Sequence, residues 1–167
     1  MSQHQHNDPS LSDAQTLVLR EAEAARVASA GKPYLFGGAT PEGFDCSGYV
    51  IFVFNAAYGA KSLPRVTAEQ LRTQGRFPAI EAPPAPADLV FFSKSPGGSE
   101  ASHVGIVFSD TRWIGSQSST GVAYVSFENP FWKPRILSYG RYLPAHANAA
   151  IIPMKAGSFA STINRVA

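Results

Sequence analysis

The first third of the chain spaces its apolar residues as an amphipathic helix does. Ser12 and Gln15 match a capping box, S-x-x-Q, that opens a run rich in Ala, Leu, Glu and Arg. The run continues to about residue 30, where Gly31 is a typical C-terminal stop. The pattern predicts a helix whose buried stripe contains Leu17, Val18, Ala25 and Ala28.

The apolar run after the next glycine-rich stretch fits either a strand or a helix. YVIFVF has strand composition, but Asp45 and Ser47 are N-cap residue types. Apolar residues then recur at helical spacing as far as Gly59, which can end a helix. We therefore expect a helix that begins near Cys46, and TAEQLRTQG predicts one or two further helical turns ended by Gly75.

The pattern changes to strands after the proline-rich stretch EAPPAPAD, which is typical of an extended linker. Short apolar or alternating runs predict strands at 89–92, 103–108, 113–116 and 122–127. Helices come first and strands with short hairpin-like connections follow, so the layout is α+β rather than alternating βαβ units. We expect N-terminal helices packed on a central antiparallel sheet.

Length and composition fit one folded domain with short tails. The chain has 167 residues, of which 44% are hydrophobic and 16% charged, which excludes a mainly disordered protein. We assign residues 11–144 to the domain, 1–10 to a flexible tail, and 145–167 to a tail or short helix. A net charge of +2 is too weak to indicate a nucleic-acid groove.

Targeting features are also missing from the sequence. The sequence contains no run of 18 apolar residues, so it predicts no transmembrane helix. The polar start MSQHQHNDPS does not resemble a Sec signal peptide. We therefore expect synthesis in the cytoplasm.

Cys46 is the chain's single cysteine, which excludes an internal disulfide and a multi-cysteine metal site. A lone cysteine is more often a buried small hydrophobe than a nucleophile. However, Cys46 follows a glycine-rich bend at the first turn of a predicted helix, where unpaired N–H groups and the helix dipole favour the thiolate. It is therefore a candidate nucleophile.

A cysteine nucleophile needs a base, and His103 is the best placed of the four histidines. It opens the apolar strand HVGIVF just after a Gly/Ser loop. His4 and His6 lie in the polar tail, and His146 lies in an Ala-rich stretch near the C-terminus. A structural role at the sheet rim is the alternative for His103.

Five motifs now stand in a recognisable order: PYLFGG, FDCSGYV, LPR-x-T-A-E-Q, ADLVFF and SHVGIV. Together they resemble the NlpC-type family of papain-like bacterial cell-wall peptidases. The resemblance implies a papain-like fold and a cysteine peptidase or amidase that cuts peptidoglycan stem peptides, commonly between D-glutamate and the diamino acid. It implies no metal or organic cofactor.

The resemblance also assigns roles to residues. Cys46 matches the nucleophile, with its backbone N–H as an oxyanion donor, and His103 matches the general base. Tyr34, Asp45 and Ser47 match positions that bind the substrate, and Asp45 could receive a free amine.

Three further positions match family motifs without a catalytic role. For these, Arg65, Gln70 and Asp88, a structural role is the better interpretation.

The sequence departs from the family at the third catalytic position. A histidine is common in the following strand, but Trp113–Gln117 contains none. Strand alternation puts Gly115 and Gln117 on one side, where Gly115 leaves room for the Gln117 amide to accept a hydrogen bond from His103 Nδ1. Ser118 is a possible substitute, and a polar turn residue is the alternative interpretation of Gln117.

Two alternatives to a peptidase remain, together with the question of where the protein acts. The same scaffold can host an acyltransferase, and the missing histidine is compatible with a catalytically dead binding module. A peptidase without a Sec signal would reach the periplasm or cell wall by another route, as a secreted antibacterial effector or a phage lysin. A cytoplasmic recycler of wall peptides is the alternative. An immunity protein or a secretion apparatus are the partners that the effector hypothesis implies.

Three aromatic residues form a cluster in the sequence: Tyr124, Phe131 and Trp132. Core packing is the better interpretation for them, and a wall of the substrate site is the alternative.

Overall fold

The computed structural model describes residues 11–59 and 62–144. Its helices are α1 (Asp13–Ala28), α2 (Cys46–Tyr58) and α3 (Ala68–Thr73). Its strands are β1 (Ala39–Thr40), β2 (Gly43–Phe44), β3 (Ala79–Ile80), β4 (Leu89–Phe92), β5 (His103–Val107), β6 (Arg112–Gln117), β7 (Gly121–Ser126) and β8 (Ile136–Gly140). The two predicted tails, 1–10 and 145–167, lie outside the described residues.

Six strands form one antiparallel sheet in the order β3-β8-β4-β5-β6-β7. The helices precede most of this sheet in the sequence, and α2 packs across β5 and β6. The α+β prediction is therefore confirmed. None of the helices described is long and apolar enough to cross a lipid bilayer.

The predicted start of α1 is confirmed, while its buried stripe needs one correction. The Ser12 hydroxyl accepts a hydrogen bond from Gln15 N at 3.1 Å, and Gln15 Oε1 accepts one from Ser12 N at 2.8 Å. The buried residues of the helix are Val18, Ala22 and Ala25. The stripe continues to the buried C-cap Ser29, and the predicted Leu17 and Ala28 lie to one side of it, so Leu17 is half-buried and Ala28 is exposed.

The strand predictions missed β8. Its sequence, ILSYG, lacks a clear alternation, yet it pairs with β3 on one side and β4 on the other. Pairing on both sides satisfies its backbone, so this strand depends on tertiary context rather than on side-chain pattern. The predicted strand at 113–116 extends over Arg112–Gln117, which puts Gln117 inside β6.

The sheet has an apolar cluster on each face. The face toward the helices packs Tyr49, Val53 and Phe54 of α2 against the sheet. The opposite face buries Val90, Phe92, Val107 and Trp113. The segment between β7 and β8 covers this second cluster with Phe127 and Trp132.

The absence of a side chain at Gly48 lets the start of α2 pack directly against the preceding loop. A Cβ at this position would lie 2.0 Å from the Gly38 carbonyl oxygen, and that same oxygen accepts a hydrogen bond from Asp45 N at 2.9 Å. The backbone contact leaves no space for a side chain.

We expect Gly48→Ala to lower the free energy of unfolding by about 3 kcal/mol, because the clash is with backbone that cannot rotate away. Urea denaturation measures the effect. The exposed Ala56→Ser on the same helix is the control and should change stability by less than about 0.5 kcal/mol. A loss below about 1 kcal/mol for Gly48→Ala would mean that the loop can move away from the helix.

Candidate active site

Cys46 is the first residue of α2, directly after the N-cap Asp45. The Asp45 carboxylate accepts a hydrogen bond from Gly48 N at 2.7 Å and so caps the helix. The thiol lies beside the backbone N–H groups of Ser47 and Val104. Because Val104 follows His103 in β5, the start of the helix is adjacent to the start of that strand.

An open cavity of about 530 Å³ lies in front of Cys46. Tyr34 and the 91% exposed ring of Phe36 line it from the loop before β1, and Ala101 and Ser102 line it from the loop before His103. The predicted substrate residues Tyr34, Asp45 and Ser47 all line this cavity, as does Arg65. The structure therefore brings the nucleophile candidate and the substrate candidates together.

Asp45 is the centre of a hydrogen-bond network on one wall of this cavity. Its carboxylate accepts from Gly37 N at 2.9 Å and pairs with the Arg65 guanidinium. The Ser47 hydroxyl donates to Asp45 at 3.3 Å and accepts from Arg65 Nη1 at 2.9 Å. The carboxylate thus holds loop, helix and arginine together, which supports the structural interpretation of Arg65 and leaves amine binding by Asp45 a prediction.

His103 lies buried with its Nε2 atom 3.3 Å from the Gln117 Oε1 atom. The contact joins the two side chains as expected, but through the other ring nitrogen. The sequence argument placed the hydrogen bond at Nδ1, because sequence alone does not fix how a ring is turned about its own axis. Among the residues that the structure describes, Nδ1 has no hydrogen-bond partner.

The surrounding hydrogen bonds fix the tautomer of His103. The Thr120 hydroxyl donates to the Gly121 carbonyl at 2.9 Å, so it must accept from Gln117 Nε2 at 3.3 Å. The amide oxygen of Gln117 therefore faces His103 and can only accept, which places the imidazole proton on Nε2. Nδ1 then carries the lone pair that a general base needs.

Aromatic rings enclose the His103 imidazole. The Trp132 indole stacks on it with ring centroids 4.5 Å apart and planes 25° apart. The rings of Phe92 and Trp113 lie at 5.7 and 5.8 Å. Trp132 thus packs the outer sheet face, as expected of a core residue, and also contacts the base.

The other two aromatic candidates lie elsewhere. Tyr124 hydrogen-bonds Glu23 of α1, and Arg112 lies over its ring at 4.0 Å. Phe131 is 54% exposed and packs on Trp132. In the structure, neither residue is among those that line the cavity in front of Cys46.

Burial shifts both reacting groups toward their neutral forms. Burial lowers the pKa of His103 from 6.5 to about 4, although the Gln117 hydrogen bond partly opposes the shift. Burial, aided by the Asp45 carboxylate, raises the pKa of the Cys46 thiol from 9.0 to about 11. The helix-start N–H groups lower the thiol pKa, as predicted, but desolvation outweighs them.

No hydrogen bond joins the Cys46 thiol to the His103 ring in the described part of the chain. With pKa values of about 11 for the Cys46 thiol and about 4 for His103, both groups are neutral at neutral pH in the resting protein. Catalytic hydrogen bonds are often long in the absence of substrate and tighten when it binds.

The remaining candidates have other positions. Gln70 forms a capping box with Thr67 at the start of α3, and Asp88 pairs with Arg141 through two 2.9 Å contacts. Ser118 is exposed. Across residues 11–59 and 62–144, no group of three His, Cys, Asp or Glu side chains is arranged to hold a metal ion.

Sequence comparison places these features in a known group. A model described as the NlpC/P60 family matches residues 31–141. The chain belongs to the NlpC/P60 family. The matched range includes the cavity, Cys46, His103 and Gln117, and it confirms the family that the five motifs indicated.

The similarity of this chain to individual proteins agrees with the family assignment. The chain is 38% identical over 112 residues to the bifunctional muramidase/DL-endopeptidase CwlT of Bacillus subtilis, covering 66% of this chain and 32% of that protein. It is 38% identical over 136 residues to the gamma-DL-glutamyl hydrolase of the same species, covering 81% and 30%. This chain therefore spans about a third of these relatives.

Solved NlpC/P60 structures confirm the papain-like fold. A lipoprotein-like NLP/P60 family protein from Staphylococcus aureus matches with a TM-score of 0.62 at 28% identity, covering 80% of this chain and 43% of that one. The NlpC/p60 domain of the peptidoglycan hydrolase SagA matches in fold with a TM-score of 0.58 at 24% identity, covering 76% and 97%.

The raised pKa of Cys46 predicts how this NlpC/P60 thiol reacts with iodoacetamide. The second-order rate should keep rising with pH beyond pH 9, because the thiolate fraction grows until the pH passes the thiol pKa of about 11. Cys46 is the only cysteine, so mass spectrometry of the intact protein follows one site. Free cysteine measured in parallel is the control. A plateau reached below pH 8 would show that His103 holds a resting thiolate.

Proposed function

We propose that this chain is a cysteine endopeptidase that hydrolyses amide bonds in peptidoglycan stem peptides, at the bond between D-glutamate and the diamino acid. The observation that carries the proposal is that Cys46, at a helix start in an open cavity, lies beside the Val104 N–H, directly after His103. Within the described residues no hydrogen bond occupies Nδ1 of His103, which carries the lone pair. The names of two relatives, a DL-endopeptidase and a gamma-DL-glutamyl hydrolase, support the choice of bond.

In the proposed reaction, Cys46 Sγ attacks the carbonyl carbon of the scissile amide while its proton passes to His103 Nδ1. The tetrahedral oxyanion is stabilised by the backbone N–H of Cys46 at the start of α2. Nδ1 then gives the proton to the departing amine, which leaves a thioester. Water attacks the thioester, with His103 again taking and returning the proton, and releases the free acid and the thiol.

The other proposed groups bind rather than react. Gln117 keeps the Nε2 proton of His103 in place throughout, so that only Nδ1 exchanges protons. The Tyr34 hydroxyl lies near the Cys46 N–H, where it can contact the oxyanion or the substrate carbonyl. Asp45 and Ser47 form the wall along which the stem peptide lies, and a substrate amine would share the Asp45 carboxylate with Arg65.

The setting in which the protein meets the wall is part of this proposal. An antibacterial effector with a cognate immunity protein, a lysin, or another enzyme that acts in the periplasm or cell wall would each use the same site.

Digestion of purified peptidoglycan tests the central proposal. We expect the protein to release fragments with new N-terminal diamino acids, identified by mass spectrometry. Cys46→Ala should abolish the release without changing the far-UV circular dichroism spectrum, because the substitution removes the attacking sulfur and adds no bulk. Ser118→Ala is the control and should keep full activity, since its side chain is exposed.

Two results would contradict the proposal in different ways. Release that persists in a folded Cys46→Ala protein would remove Cys46 as the nucleophile. A wild-type protein that binds peptidoglycan without releasing fragments would favour a binding module, and transfer of the acyl group to an added amine instead of water would favour an acyltransferase.

The contact of Gln117 with His103 predicts a graded effect on turnover. Gln117→Ala should lower kcat by roughly tenfold to a hundredfold with little change in KM, because the ring loses its fixed tautomer but keeps its position among the aromatic rings. His103→Ala should cost more, about a thousandfold or greater. Gln117→Glu keeps an acceptor oxygen and should preserve much of the activity. Full activity in Gln117→Ala would mean that something else orients the base.

A further inference from the structure

Neighbouring rings hold the Trp132 indole in one orientation against the His103 imidazole. Its ring contacts Phe92 at 5.0 Å, Trp113 at 5.6 Å and Phe131 at 4.9 Å between centroids, all edge-to-face. Three separate contacts therefore define the plane of the indole, and that plane lies 25° from the plane of the imidazole.

The backbone of the same segment is also anchored. Asn129 Oδ1 accepts hydrogen bonds from Phe131 N at 2.9 Å and Trp132 N at 3.2 Å. The Trp132 carbonyl accepts one from Arg135 N at 2.9 Å. The stacking is thus a fixed feature of the loop between β7 and β8.

In the proposed reaction, the stacking of Trp132 on His103 has an electrostatic role. His103 must become an imidazolium when it takes the thiol proton, and burial opposes that charge. Gln117 offers a neutral amide rather than a carboxylate. The charged groups on the described elements around His103 have other partners or are exposed. Asp45 pairs with Arg65, Glu69 with Arg72 and Lys133 with Glu128. Arg135 and Arg112 lie over the rings of Phe131 and Tyr124, and Lys94 and Glu100 are exposed.

We propose that Trp132 is a positioning residue for His103 whose π face stabilises the imidazolium formed during proton transfer. A cation within about 6 Å of an indole centroid is attracted by the ring quadrupole, and the attraction grows when both groups are desolvated. The 4.5 Å separation meets the distance condition, and the desolvation is that of the buried His103, since Trp132 is itself half-buried. The inference rests on the proposed function, since it assumes that His103 takes a proton.

Water exclusion is the competing explanation, and it predicts a change of opposite sign. If Trp132 only excludes water from His103, replacing Trp132 with a smaller apolar residue admits water to the ring. The water favours the imidazolium and so raises the pKa of His103. If the π face stabilises the imidazolium, replacing it with an aliphatic residue lowers the pKa of His103 further. The direction of the shift therefore separates the two roles.

The test measures the protonation of His103 by NMR near pH 4 in a Cys46→Ala background, so that no proton can pass between the thiol and the ring. At that pH the ring of the parent protein is about half protonated, since the pKa of His103 is about 4. We expect the ring to stay mostly neutral in Trp132→Leu and to change less in Trp132→Phe, which keeps a π face. Phe131→Leu is the matched control, because Phe131 packs on the indole from the exposed side and makes no ring contact with His103 within the described residues.

Turnover of peptidoglycan by the variants that retain Cys46 is the second readout. Trp132→Leu should lower kcat by roughly tenfold with KM little changed, and Phe131→Leu should stay within about twofold of wild type. If Trp132→Leu does not fold, Trp132→Met supplies an unbranched side chain without a π face.

A raised pKa of His103 in Trp132→Leu would overturn the proposal in favour of water exclusion. An unchanged pKa together with the turnover of the control would reduce Trp132 to packing and would also overturn it. The NMR result does not depend on enzymatic activity. If the wild-type protein cleaves no peptidoglycan, the proposed function is refuted. The NMR measurement would still show whether Trp132 stabilises the imidazolium.

Discussion

The site depends on burying an imidazole that has to carry a proton. His103 opens β5 beneath the Trp132 indole and beside Phe92, with the Gln117 amide as its hydrogen-bond partner. This dry position lowers the pKa of the ring and keeps it neutral, which leaves Nδ1 able to accept a proton at physiological pH. The same position requires that each polar contact of the ring be fixed, because a mispaired hydrogen bond in a buried site is costly.

A second constraint links the nucleophile to the cavity wall. Asp45 caps the helix that begins at Cys46, binds the backbone of the preceding loop and pairs with Arg65. One carboxylate therefore sets the position of the thiol, of the loop that carries Tyr34, and of Arg65 on the same wall of the cavity. Gly48 lets these parts meet because its α-carbon touches the Gly38 carbonyl without a side chain between them.

Much of this could be predicted from the sequence where the cause is local. The capping box of α1 and the cap at Asp45 follow from short-range chemistry, and the motif order gave the family. Strand alternation was enough to bring Gln117 to His103. What could not be predicted depends on distant parts of the chain: the pairing of β8, the ring nitrogen that His103 turns to Gln117, the Thr120 hydroxyl that orients the amide, and the contact of Trp132 with the base. Desolvation of Cys46 also depends on packing, so the helix-start argument gave the wrong net direction for its pKa.

The most direct test of this account is the pH dependence of kcat/KM on a soluble stem peptide, which reports the ionisations of the free enzyme. A resting pair of neutral thiol and neutral imidazole predicts constant kcat/KM between about pH 6 and 9, with an acid loss centred near pH 4, where His103 becomes protonated and can no longer act as a base. An acid loss centred near the ordinary histidine pKa of 6.5 would contradict the account, because it would mean that the aromatic enclosure does not set the ionisation of the base. A loss of activity near pH 8.5 would contradict it equally, since it would indicate a resting thiolate–imidazolium pair that loses its imidazolium proton.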